Sequence, residues 1–351
     1  MGRKTGLRLK PSVRLLMVAG IAALLTMWVV QLSNHIQAPV ATSGDRARDA
    51  AADYGRIRGR GSGSGTHTDV ASTELTGAAA PELPHYDLVI AVLVKGGKSE
   101  EDLGEIERVH RVYDRYKGTI TPDPVPPGHA GDTPWTYRVV FVVDNVHALA
   151  PVPETGLLAG DFFYVNVRAG YDHLSDKTLA LMALSDHISF RFLAKTDGDS
   201  FPCLRRVASK LMGVEPAEQP LVYAGLLATC GKVFPKGHKL HDPEFIKATG
   251  GVLQCHPMYH QGAFYVLGRG IVEYLHRNRA MLQLMSVEDA MVGLWLLGLK
   301  KASVVLNIGG QFYCMCHTHP VPQKEYNKQS FYHFCKTDEK MNTCIEKFGA
   351  C

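Results

Sequence analysis

The sequence predicts an α/β domain around a mostly parallel sheet, occupying residues 85–351. Two observations carry that expectation. Continuous apolar and β-branched runs recur along this region, and stretches with apolar residues at helical spacing separate them. The composition agrees: 46% hydrophobic and 21% charged residues suit a folded chain, and exclude a wholly disordered one or one with many membrane spans.

Each element follows in order. Tyr86 to Val94 is a run that is apolar but for Asp87 and opens into Lys95-Gly-Gly97, as expected of a strand buried on both faces and ending in a turn. Leu103, Ile106, Val109, Tyr113 and Tyr116 then recur at helical spacing. Tyr137 to Val143 and Phe162 to Val167 read as the second and third strands, and Leu179 to Leu184 as a helix. Ile188, Phe190 and Phe192 alternate with polar or small residues up to Thr196, which makes a fourth strand. Pro202 is expected in the first turn of a helix that carries Leu204, Val207 and Leu211 and stops at Gly213. Gln261 to Gly268 is a short strand in which Gly262 permits close backbone approach. Ala290 to Leu299 is a strong helix. In such a fold ligands bind outside the carboxyl ends of the strands.

The chain ahead of this body is organised differently. Residues 1–14 carry five basic side chains and no acidic one. Leu15 to Val30 has no strongly polar side chain except Thr26, and Gln31 and Leu32 bring the run to 18 residues. That length is at the short end for a bilayer-spanning helix, so 15–32 is expected to be a single signal anchor. The alternative is a cleaved signal peptide, but no small-x-small site follows at once. By the positive-inside rule 1–14 is then a cytoplasmic tail and the rest is lumenal. A short span suits a thin membrane of the early secretory pathway. In residues 33–84, Ala, Gly and Ser make up 22 of 52 positions and Tyr54 is the only aromatic residue, so the segment cannot build a core and reads as a flexible stem. Residues 85–351 carry 28 basic and 28 acidic side chains. A neutral body argues against nucleic acid as a partner, because counterion release needs a basic face. All eight cysteines follow the anchor, and an even number in an oxidising lumen suggests disulfides.

Three segments carry chemistry. In Lys195-Thr-Asp-Gly-Asp199 a strand delivers two carboxylates into a turn at its carboxyl end. Such oxygen ligands suit a hard divalent cation, and the bland alternative is an Asp-Gly turn that caps its own backbone. In Ser286-Val-Glu-Asp289, Ser286 as N-cap with Asp289 three residues later looks like a capping box; the other reading is a carboxylate pair at a helix start, one member acting as a general base. Gln261-Gly-Ala-Phe-Tyr-Val-Leu-Gly268, preceded by Pro257-Met-Tyr-His260, is by itself only a strand.

The order of these pieces resembles glycosyltransferase family 31, the β1,3-galactosyltransferase, β1,3-N-acetylglucosaminyltransferase and fringe group, from about residue 87 to about 325. Glu154, Gly160-Asp-Phe-Phe and Tyr171-Asp-His-Leu-Ser-Asp-Lys-Thr-Leu179 look like the family's early blocks. Phe192 to Phe201 is similar to its Lys-Thr-Asp-Asp-Asp-x-Phe motif, with Gly198 where the family has the middle Asp. Tyr259 to Leu267, Glu288-Asp289-Ala290 and His319-Pro-Val-Pro-Gln-Lys-Glu325 resemble the later blocks.

The resemblance implies a GT-A fold preceded by one transmembrane helix, and an inverting transfer of galactose or N-acetylglucosamine from UDP-galactose or UDP-N-acetylglucosamine to a glycan on protein or lipid. It also implies a Golgi membrane protein with a single span and a lumenal catalytic domain. Mn²⁺ is the expected cofactor, held by Asp199, by Asp197 and by His319, with His317 as the fallback, since imidazole is an acceptable Mn²⁺ ligand. Asp197 is alternatively a ribose contact. Asp289 is the expected base that deprotonates the acceptor hydroxyl. Lys177 and Lys195 are either phosphate contacts or solvated lysines. Two rival readings accompany this one. The first is a catalytically inactive sugar-binding or chaperone-like relative, suggested by Gly198, and the second is a secreted metal-binding domain without nucleotide affinity.

Overall fold

The computed structural model describes residues 83–94, 100–122, 133–144, 152–299, 304–310, 329–349 and 351. The expected tail 1–14 and anchor 15–32, nearly all of the stem, and both His317 and His319 lie outside them. Among the described residues no helix is long and apolar enough to cross a membrane.

The strands, in chain order, are β1 (His85–Leu93), β2 (Thr119–Ile120), β3 (Trp135–Asp144), β4 (Leu157–Ala159), β5 (Phe162–Val165), β6 (Ser189–Asp197) and β7 (Phe201–Pro202), then β8 (Val222–Ala228), β9 (Gly231–Lys232), β10 (Cys255–His256), β11 (Tyr259–Gly268), β12 (Val304–Asn307) and β13 (Phe331–Tyr332). The helices are α1 (Glu100–Asp114), α2 (Leu174–Leu181), α3 (Leu204–Met212), α4 (Pro243–Ala248), α5 (Arg269–Arg277), α6 (Glu288–Leu297) and α7 (Asp338–Phe348).

The main sheet has the order β12-β8-β11-β6-β1-β3-β5-β4, with β2 added on β3. β1 lies between β3 and β6 and is parallel to both. The pairings run β12, β8, β6, β1, β3 and β5 in one direction and β11, β4 and β2 in the other, so the sheet is mixed but mostly parallel.

β1 explains why its sequence is apolar from Leu88 to Leu93. Successive side chains point to opposite faces of a sheet. Leu88, Ile90 and Val92 join the core under α1, α3 and α7, while Val89, Ala91 and Leu93 join the core under α2, α5 and α6. Helices cover both faces, so neither set of side chains meets water. Each helix contributes one apolar stripe, for example Val109, Val112 and Tyr113 of α1, or Ile271, Val272 and Leu275 of α5.

Two local expectations need correcting. Pro202 is not in a helix: it is the second residue of β7, which pairs antiparallel with β13 through Phe331↔Pro202 and Tyr332↔Phe201. A two-residue strand at a sheet edge tolerates proline's missing N–H. Its carbonyl accepts from an Arg115 terminal nitrogen at 2.7 Å and from the Tyr116 hydroxyl at 3.1 Å. The helix begins two residues on at Leu204, with Cys203 as its N-cap. The helix expected over Leu179–Leu184 starts earlier, at Leu174, and passes into a 3-10 turn at Met182.

Two disulfides join pairs of described residues. Cys203–Cys351 ties the start of α3 to the end of the chain, and Cys230–Cys255 ties the segments around β9 and β10.

Candidate active site

Strand direction assembles the site. The carboxyl ends of β1, β3 and β6 share one edge of the sheet, and β11, running the opposite way, begins at that edge beside the end of β6. α6 then packs its first turn over the start of β11. The contact is close: a Cβ on Gly262 would stand 3.1 Å from Glu288 Oε2 and 3.3 Å from Asp289 Oδ2. Glycine at 262 is what lets two carboxylates approach the strand.

The first group of residues is Asp197, Asp199 and His333. One ligand atom from each lies within 4.8 Å of the others. The His333 Nε2 atom is 3.0 Å from Asp199 Oδ1 and 3.5 Å from Asp197 Oδ2. Burial alone raises the Asp199 carboxyl, but the hydrogen bond and charge of His333 outweigh it and hold the pKa below the ordinary 3.8. Two carboxylates and an imidazole form a donor set that fits a divalent metal of the Mn²⁺ type.

His333 arrives from far along the chain. β13 pairs with β7, just after the acidic turn, and the Cys335 N–H donates to the Asp199 carbonyl at 2.9 Å. Nothing local in the sequence marks it. The faint signal is the aromatic run Phe331-Tyr-His-Phe334, which reads as a short strand enclosing a histidine.

The second group is centred on Lys195, which is buried. Its ammonium donates to Asp197 Oδ1 at 2.9 Å, to the Gly262 carbonyl at 2.6 Å and to Glu288 Oε2 at 3.2 Å. Burial would lower its pKa, yet Asp197 and Glu288 more than reverse that and keep it charged. Three protons meet three protein acceptors, so Lys195 locks β6 to β11 and α6 from beneath the site. Of the two expected readings, phosphate contact or solvated lysine, the burial of Lys195 excludes the second.

Lys177 is buried too, at the other side of β6. It donates to the Val94 carbonyl, just past β1, at 2.7 Å and lies 3.9 Å from Asp144 Oδ2 at the end of β3. Burial lowers its pKa, with the charges of Asp144 and Glu105 acting against that. It too is no solvated lysine.

Glu288 and Asp289 are neighbours with different surroundings. Glu288 is buried and accepts from the Tyr265 hydroxyl at 2.6 Å, the Thr178 hydroxyl at 3.1 Å and Lys195. Asp289 is partly exposed, and it accepts from the Gly262 N–H at 2.7 Å and the Ala290 N–H at 2.9 Å. Burial and then the charge of Glu288 push its pKa up from 3.8 to about 6. That is the environment of a carboxyl poised to exchange a proton near neutral pH. The capping-box reading fails: Val287 is the N-cap of α6 and makes no side-chain cap. Ser286 instead donates its hydroxyl to Glu244, and Asp242 accepts from the N–H groups of Ser286 and Val287. Asp289 therefore closes no capping box with Ser286, although its Oδ1 accepts from the first-turn N–H of Ala290.

Tyr171 completes the mouth of the site. It is 58% exposed. Partial burial and the nearby charges of Asp289 and Asp197 raise its hydroxyl pKa.

Comparisons with known proteins bear on this arrangement. A model of the galactosyltransferase family matches residues 149–306, which include β6, the acidic turn, β11 and α6. The chain is 31% identical over 131 residues to beta-1,3-galactosyltransferase 6 of Mus musculus, covering 37% of this chain and 38% of that protein. It is 28% identical over 141 residues to a probable beta-1,3-galactosyltransferase 8 of Arabidopsis thaliana, covering 40% and 35%. The matches thus span little more than a third of these curated relatives. Among solved structures, the galactosyltransferase LgtC in complex with donor and acceptor sugar analogues overlaps 71% of this chain and 87% of that one, with 15% identity and a TM-score of 0.32.

Proposed function

We propose that this chain, which over residues 149–306 matches a model of the galactosyltransferase family, is an inverting hexosyltransferase of GT-A type. It moves galactose, or alternatively N-acetylglucosamine, from a UDP-sugar to a glycan hydroxyl and forms a β1,3 linkage. The names of the curated relatives favour galactose. The observation that carries the reading is Asp289. A partly exposed carboxyl with its pKa pushed up to about 6 stands at the same sheet edge as Asp197, Asp199 and His333.

In this mechanism Asp289 takes the proton of the acceptor hydroxyl. The hydroxyl oxygen forms its bond to the anomeric carbon as the bond from that carbon to the diphosphate breaks on the opposite face, which inverts the centre. The Gly262 and Ala290 N–H groups fix the orientation of the Asp289 carboxylate. Lys195 holds Asp197 and the start of β11 in register beneath it. Asp197, Asp199 and His333 would hold Mn²⁺, which when bound neutralises charge on the leaving diphosphate.

The metal set is tested directly. His333→Ala should weaken Mn²⁺ binding, read by titration calorimetry, by at least the tenfold or so that loss of a supporting residue costs. Unchanged Mn²⁺ affinity would remove His333 from the site. Turnover of a UDP-galactose donor should stop with a chelator and return with Mn²⁺.

The same reading proposes a Golgi membrane protein of type II, on the basis of the 18-residue apolar run after five basic residues. Protease added to sealed microsomes should leave residues 85–351 intact. Digestion without detergent would reverse the orientation.

A further inference from the structure

The acidic turn lacks a side chain at its middle position, and the fold fills that space from elsewhere. Gly198 is buried. A Cβ placed on it would run into Glu105 of α1, with the glutamate Cδ and Cγ atoms 2.7 and 2.8 Å away and Oε1 closer still. An aspartate at 198 would push the end of the Glu105 side chain out of this space. A carboxylate from α1 stands where a side chain from the turn would begin.

We propose that Glu105 is a substrate-binding residue that accepts from the ribose hydroxyls of the nucleotide. The proposal rests on the nucleotide-sugar transferase reading and deepens it.

Three observations place it there. Glu105 lies on the β1 side of the end of β6: its charge acts on Lys177, whose ammonium is bonded to the Val94 carbonyl just beyond β1. Asp289 lies on the opposite, β11 side, bonded to Gly262. With the acceptor at Asp289 and the diphosphate over Asp197 and Asp199, the nucleoside end of the donor falls on the side of Glu105. Second, among the described residues the ligand atoms that converge within 4.8 Å are those of Asp197, Asp199 and His333, and Glu105 is not among them. Third, an ionised carboxylate only accepts hydrogen bonds, so its ligand must offer donors. A ribose diol offers two, and an acidic side chain on ribose hydroxyls is a recurrent solution in nucleotide-binding α/β folds.

The test is titration calorimetry on the full-length protein with saturating Mn²⁺, using UDP and 2′-deoxy-UDP as probes. The unmodified protein should prefer UDP. Glu105→Ala should lose on the order of tenfold or more in UDP affinity, the range expected for a hydrogen bond to a charged group, and should bind both probes alike. Gly198→Asp alone should weaken UDP binding, because the new side chain displaces Glu105. The double variant Glu105→Ala with Gly198→Asp should regain affinity and the preference for UDP over the Glu105→Ala protein. If Glu105→Ala does not fold, Glu105→Gln serves, with a smaller loss of the same preference. Undiminished preference in the Glu105 variants would overturn the proposal and leave the transferase reading standing. Absence of UDP binding by the unmodified protein would overturn both.

Discussion

Replacing Asp289 by asparagine is expected to lower kcat by on the order of 10²-fold or more while UDP affinity stays near its original value. The side chain is partly exposed at the sheet edge, it closes no capping box, and it is held by the backbone N–H groups of Gly262 and Ala290. Asparagine keeps the shape and one of those hydrogen bonds but cannot take a proton. UDP affinity is spared because the base acts on the acceptor. The pH profile gives an independent check. A base must be ionised, so kcat/KM of the unmodified enzyme should rise with pH through about 6, the value to which burial and Glu288 push this carboxyl. Stability carries the opposite sign. A carboxyl with a raised folded-state pKa contributes stability below its ordinary 3.8, and that contribution is lost as pH rises through about 6. Asp289→Asn should flatten that part of the stability profile in denaturant titrations. Near-normal turnover in the variant would remove Asp289 as the base. Glu288 is a poor substitute, because it is buried and already accepts from Tyr265, Thr178 and Lys195.

The second large effect is structural. Lys195→Met should cost about 3–5 kcal/mol in urea unfolding, the range for breaking a buried ion pair by removing one partner. The methionine fits the space, but it leaves Glu288, with 4% of its side chain exposed, without its cation and frees Asp197 from below. The Gly262 carbonyl loses its donor as well. Adding Glu288→Gln to the same protein should recover part of the loss, because a neutral amide needs no counter-charge and its oxygen still accepts from the Tyr265 hydroxyl. If the double variant is as unstable as the single one, the ion pair is not what Lys195 supplies. Activity should fall in both variants, since Asp197 and β11 are positioned through this ammonium.

The apolar strand runs and the carboxylates at strand ends and helix starts could be read from the chain alone. β1 was legible because a strand covered on both faces has to be apolar at every position, and Leu88 to Leu93 alternate between two cores. Asp197, Asp199 and Asp289 were legible because strand ends and helix starts are local features, and the order of the motifs placed them on one edge. The remainder depends on how distant elements pack. Whether Asp289 is a cap or a poised acid depends on Gly262 and Glu288, through a packing of α6 on β11 that spacing cannot express. Lys195 reads as a phosphate contact or a solvated lysine until three acceptors from three elements close around it. His319, chosen for its motif, lies outside the described residues, whereas His333 reaches Asp199 through the pairing of β7 with β13. Glu105 fills the space over Gly198 from a helix that precedes the turn by more than 80 residues. The physical reason is the same in each case. Periodicity records which side chains are buried, because burial repeats with the geometry of one element. The partner across a buried contact is set by how distant elements pack, and no repeat in the chain records that.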